Sequence, residues 1–208
     1  MYTRRIFPVT GVIKWTRRHI FFFFILATIP VVLFDVAGLK WLHVPWLPLG
    51  VLGTAVAFIV SFKNNASYDR LWEARKIWGG IVNTSRTWGM KTKDMISNRH
   101  AKNPRTDEEL DAIRSRLVHR HIAWITALRH SMRAPKPWEE FDKDKSNTEW
   151  AHLLNMPEKK FSLSEELAGL ISDKEKEHIL GKTNKATALL YEQSRDINEL
   201  HEEGLIWE

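Results

Sequence analysis

The chain has 208 residues, 44% of them hydrophobic, and a formal net charge of +6, enough for one sizeable domain together with a membrane segment. It holds no cysteine, which excludes disulfides, thiolate catalysis and cysteine-rich zinc sites and fits a cytosol-facing domain. A mean hydropathy of −0.32 beside so much hydrophobic residue means that an apolar part and a strongly polar part share the chain.

The apolar part comes first: between His19 and Phe62 the charged residues are Asp35 and Lys40. The run Ile20 to Ala37 has no charge before Asp35, and as a helix it spans about 27 Å, close to a hydrocarbon core. Pro30 lies inside it, where a kink is expected. The second run, Leu47 to Phe62, has Pro45 and Pro48 at its head, where helices start, and spans about 24 Å. Gly50, Gly53, Ala55 and Ala57 would let other helices approach it closely.

Two other accounts of these runs stay open. Arg4, Arg5, Lys14, Arg17 and Arg18 resemble the basic head of a signal peptide, although no small-residue cleavage site follows and a second apolar run comes soon after. A buried soluble hairpin is the other, because the second run is short. The flanking charge favours membrane spans. Basic residues precede the first run, Lys63, Arg70, Arg75 and Lys76 follow the second, and the connection between carries only Lys40. By the positive-inside rule the N-terminus and everything after Phe62 are cytoplasmic, with Trp41 and Trp46 at the outer interface. The same placement explains the pI of 9.5 without a nucleic-acid partner.

Directly after the second run comes Ser61-Phe-Lys-Asn-Asn-Ala-Ser-Tyr-Asp-Arg-Leu-Trp-Glu-Ala-Arg-Lys-Ile-Trp-Gly-Gly-Ile-Val-Asn-Thr-Ser-Arg86. On its own it reads as a helix leaving the bilayer, with Tyr68, Leu71, Trp72, Ile77, Trp78 and Ile81 as apolar surface and Arg70/Glu73 and Glu73/Lys76 as pairs three apart. Trp72, Glu73, Arg75 and Trp78 suit packing on neighbouring helices, and Gly79-Gly80 permits a close approach or a break. This stretch, with the opening around Arg4 and Arg5, resembles the bestrophin family, in particular its bacterial members, over Met1 to about Arg133.

The resemblance implies an all-α membrane protein, a transmembrane helical hairpin continuing into a cytosolic helical bundle. It also implies a homopentameric ion channel in the cell (inner) membrane, multi-pass, its partners being membrane lipid, further copies of the chain and permeant inorganic ions. Matched to the family's hydrophobic neck, Thr54, Phe58 and Phe62 line the pore. Their spacing independently puts three side chains on one helical face, although a face turned to lipid or to another helix has the same spacing. Rings of Phe58 and Phe62 would gate by dewetting, while the hydroxyl of Thr54, where the family usually has an aliphatic residue, would wet that level. Lys63, Asn64 and Asn65 fall at the inner pore mouth and could favour anions such as chloride, or anchor to headgroups. Cation selectivity, as in some bacterial members, remains the alternative.

Beyond Thr87 the pattern is helical, interrupted at Ser97 to Thr106 and at Ala134 to Thr148, with no strand and no repeat. Leu110 to Met132 reads as one amphipathic helix and Thr183 to Glu203 as another. A loose match to the family puts Ala186 at a cytosolic aperture. His119 and His121 are two apart and point to different faces, so no metal site is expected. No cofactor is implied, no coherent nucleophile, base and oxyanion set supports an enzyme, and the calcium clasp of animal bestrophins lies in the family's region beyond this sequence, so no calcium site is carried over.

The expected organisation is an N-terminal cytoplasmic segment 1–19, two transmembrane helices within 20–62 (about 20–37 and 47–62), and a cytosolic helical domain 63–208. The family's second transmembrane pair is missing before Glu208, so truncation is expected. A non-conducting membrane-anchored scaffold is the remaining alternative.

Overall fold

The computed structural model describes residues 9–43, 45–137, 143–150 and 157–206; Arg4, Arg5 and the closing Trp207-Glu208 lie outside the described residues. It contains helices α1 (Val9–Asp35), α2 (Trp46–Met95), α3 (Asp107–Arg133), α4 (Lys145–Trp150), α5 (Pro157–Lys160), α6 (Leu163–Glu166), α7 (Asp173–Leu180) and α8 (Lys185–Glu202). Among the described residues there is no strand, and β-type pairing is limited to the isolated bridges Ile96–Ile206 and Ala168–Ile171. The fold is all-α. The chain divides into two compact units, Met1–Arg75 with Trp138–Asn155 and Lys76–Pro137 with Met156–Glu208.

In the first unit, α1 runs through the basic residues Lys14, Arg17 and Arg18 into the apolar run, and Pro30 sits inside it without ending it. Its end is set by Gly38, whose φ of +70° turns the chain so that the Leu39 N–H reaches the Leu33 carbonyl at 3.2 Å. A short 3-10 turn at Lys40–Leu42 leads towards α2, with the Lys40 ammonium 4.5 Å from the centre of the Phe34 ring. Helices α1 and α2 are each long and apolar enough to cross a membrane, with stretches of mean hydropathy 1.8. Gly11 of α1 is buried, whereas Phe21, Phe24 and Val51 are 65%, 66% and 67% exposed. So large an apolar surface calls for lipid or partner helices rather than water.

No proline interrupts the chain between Pro48 and Pro104, so α2 continues past Phe62 and through Gly79-Gly80 as one helix of 50 residues. Of the two outcomes that the glycine pair permits, a break does not occur. Nothing lies within 4 Å of where a Cβ would stand at either glycine, so no approach among the described residues requires them. Along α2 the hydroxyls of Thr54, Ser67 and Thr84 each donate to the carbonyl four residues back, so none of the three is left bare on an apolar surface.

The second unit is built on α3 packed against α8. The α3 N-terminus is closed by a capping box in which the Thr106 hydroxyl accepts from Glu109 N–H and the Glu109 carboxylate accepts from Thr106 N–H. One apolar cluster joins Ala123 and Ala127 of α3 to Ile179, Ala186 and Leu189, with Leu167 completing it; a second joins Leu110 and Leu117 to Ile96, Leu200 and Leu205. Helix α8 ends in a Schellman motif: Gly204 has a φ of +74°, its N–H donates to His201, and the Leu205 N–H donates to Leu200. That turn is sewn to the α2–α3 connection by Ser97 N–H to Leu205 O (2.9 Å) and Lys102 N–H to Glu203 O (3.0 Å).

The largest charged groups between these helices are paired, although the buried Gln193 side-chain oxygen has no hydrogen-bond partner among the described residues. Arg120 is buried and donates to Glu175 (2.6 and 3.2 Å) and to Asp196 (2.6 Å), while Arg116 grips Asp196 through two further bonds. Burial works against the Arg120 charge, but its bonds to Glu175 and Asp196 outweigh that and hold its pKa above the ordinary value. Arg129 and His130 converge on Glu166; burial there would raise the carboxyl, yet these partners hold it below its ordinary value.

Candidate pore segment

The sequence-based pore residues other than Ala186 lie on α2, so their relation follows from one regular helix. Successive residues turn by about 100°, which sets Thr54, Phe58 and Phe62 within about 80° of one another. The Phe58 and Phe62 rings stack along this face, 6.5 Å apart with planes 24° from parallel, and are 61% and 70% exposed. The structure therefore brings the three neck candidates onto one open stripe. The Thr54 hydroxyl donates to the Gly50 carbonyl at 2.9 Å, so its proton is already engaged and its oxygen is what faces outward.

The three mouth candidates do not stay together. Asn65 falls within about 20° of Phe58 and extends the stripe, whereas Lys63 points roughly 140° away from Phe58 and Asn64 leaves on the other flank. Carried further, the same repeat brings Asp69 within about 20° of Phe58 and Trp72 within about 40°, and Asp69 is exposed. Sequence reasoning missed Asp69 and Trp72 as members of this face, although the three- and four-residue spacing that runs through Phe62 simply continues to them.

Ala186 lies elsewhere, in the first turn of α8. It is 7% exposed, inside the cluster with Ala123, Ala127 and Leu189. Its methyl thus fills the core of this chain, while Thr187 beside it is exposed.

Of the histidines weighed as metal ligands, His119 bonds back to Ser115, and His121 turns between the Trp88 and Trp124 rings, 6.0 and 5.1 Å from their centres. The Ser85 hydroxyl donates to Ile81 O, so His121 Nε2–H is the donor to the Ser85 oxygen at 2.9 Å. Burial lowers the His121 pKa. No group of three or more potential ligands that could hold a metal ion occurs among the described residues.

Two long apolar helices joined to a helical bundle define an all-α membrane protein. The chain belongs to the bacterial and fungal bestrophin family, whose model matches residues 5–208. It is 35% identical over 107 residues to a voltage-dependent anion channel-forming protein of Ralstonia nicotianae, covering 47% of this chain and 32% of that protein. A protein of the same description from Mesorhizobium japonicum is 45% identical over 49 residues, covering 24% and 16%. The chain thus spans about a third or less of the length of these curated relatives. Among solved structures, a point variant of a bacterial bestrophin homologue from Klebsiella pneumoniae shares the fold, with a TM-score of 0.60 at 22% identity over 96% of this chain and 56% of that one.

Proposed function

We propose that this chain is part of an oligomeric channel that conducts anions, chloride among them, passively through a pore whose hydrophobic neck is formed by α2. The observation that carries this reading is the exposed stripe of Thr54, Phe58 and Phe62 on a single helix of a chain matched almost throughout by the bestrophin family. The relatives named as anion channel-forming proteins support the choice of ion. By family likeness the assembly is a pentamer in the cell membrane, with α1 and the first part of α2 crossing it and the N-terminus and the bundle on the cytoplasmic side. Lipid and permeant ions are then its partners.

In such a ring the stacked phenyl groups would repel water at the narrowest level, and a small displacement of α2 would rewet it. The engaged hydroxyl of Thr54 leaves its level less polar than a free hydroxyl would. Asn65 is the mouth residue best placed to meet a permeating ion; Lys63 would act only through its field. A cytosolic aperture near the start of α8 would be lined by that turn's exposed side chains, such as Thr187, since the methyl of Ala186 is in the core.

A second reading, cation selectivity, is favoured by one observation: Asp69 shares the neck face, and a ring of carboxylates there would repel anions. Bilayer recording of the full-length protein in asymmetric salt tests both. Replacing Phe58 and Phe62 together by Ala is expected to raise the current severalfold, and the reversal potential to lie on the anion side. Well-folded protein that passes no current in either form would favour a scaffold, and a reversal on the cation side would overturn the choice of ion.

A further inference from the structure

At the head of α1, Lys14, Trp15, Arg17, Arg18 and His19 occupy the turn and a half before the apolar run that begins at Ile20. If α1 crosses the membrane, as proposed above, this stretch stands at headgroup level. Its charges do not face water alone. The six-residue helix α4, more than a hundred residues further along the chain, lies against it within the same unit. The Trp15 indole N–H donates to the Asn147 side-chain oxygen at 3.1 Å. Arg17 reaches one oxygen of Glu149 at 3.0 Å, and Arg18 reaches the other.

This arrangement has the features of an anion site held by a substitute. Two guanidiniums share one carboxylate, so the cluster of the three keeps a positive charge. The ion pairs are open to solvent: Arg17, Arg18 and Glu149 are 56%, 45% and 40% exposed, a setting in which such pairs are weak and easily exchanged. A phosphodiester presents two non-bridging anionic oxygens to guanidinium forks, as Glu149 does, and it is delivered at membrane level at high local concentration.

We propose that Arg17 and Arg18 form a binding site for the phosphate of an anionic phospholipid, occupied by Glu149 when the surrounding lipid is neutral, so that anionic lipid releases α4 from α1. Trp15, at the same depth, would then stay as the interfacial anchor after its Asn147 partner has left.

Hydrogen exchange of the full-length protein in nanodiscs tests this, because residues 143–150 report the docking of α4 directly. Wild type is expected to exchange severalfold faster there in phosphatidylglycerol than in phosphatidylcholine. Glu149→Gln should exchange fast in both lipids, and Arg17→Gln/Arg18→Gln should be fast in both and also retain less phosphatidylglycerol by native mass spectrometry. Unchanged exchange in α3 and α8 shows that each variant is folded, and incorporation into nanodiscs tests the membrane placement separately. Equal protection of residues 143–150 of wild type in the two lipids would overturn the proposal. So would release by soluble glycerophosphoglycerol in phosphatidylcholine discs, which would make the site one for free phosphate esters.

Discussion

Arg120 shows how far single side chains hold the bundle. Its guanidinium, 8% exposed, bridges Glu175 and Asp196. Arg120→Met removes that cation and leaves the half-buried Glu175 beside an alkyl chain, a loss of about 3 kcal/mol, at the low end for a broken buried pair because Glu175 keeps some solvent and Arg116 still holds Asp196. A thermal melt of the detergent-solubilised protein should show a clearly lower midpoint, and adding Glu175→Gln should restore part of it; a midpoint within a degree of wild type would mean that the pair contributes little. None of this was legible in the sequence, since the partners lie 55 and 76 residues from Arg120. Ala186 teaches the same lesson from the other side. Family likeness proposed Ala186 for an aperture, but only packing shows that its methyl points into the core. That Thr54, Phe58 and Phe62 share one face was legible because they sit on one helix, where spacing fixes direction.

At the scale of elements, periodicity was the strong signal. Leu110 to Met132 and Thr183 to Glu203 were read within three residues of α3 and α8, because each repeats its apolar residues at helical spacing, while the caps Thr106 and Asn184 that fix their starts went unread. The unbroken passage of α2 through Gly79-Gly80 was less legible, because a glycine pair fits a helix or a break equally well. Glycines also mark the turns that shape the bundle, and two of them differ in a measurable way. Gly169 and Gly204 both have positive φ, but a Cβ at Gly169 would meet nothing, whereas at Gly204 it would stand 2.2 Å from the His100 carbonyl oxygen. Gly169→Ala should therefore cost about 1–2 kcal/mol from backbone strain alone. Gly204→Ala should cost clearly more, because the α8 turn must also part from the α2–α3 connection. Equal melting shifts for the two would show that this close approach relaxes freely.

For the whole molecule, composition announced two environments, and the structure separates an apolar helix pair from a packed bundle. The division falls within α2, at Arg75 and Lys76, and the first unit includes α4, a grouping that no local signal in the sequence announces. The central claim is that one face of α2 lines an ion path. The chain carries no cysteine, so a single cysteine placed along that helix meets no other within these 208 residues. The direct measurement is the block of current by a charged thiol reagent at Thr54→Cys, Phe58→Cys, Asn65→Cys and Lys63→Cys. The account predicts block at the first three and none at Lys63→Cys, which points away from the stripe. Block at Lys63→Cys with none at the other three would contradict it.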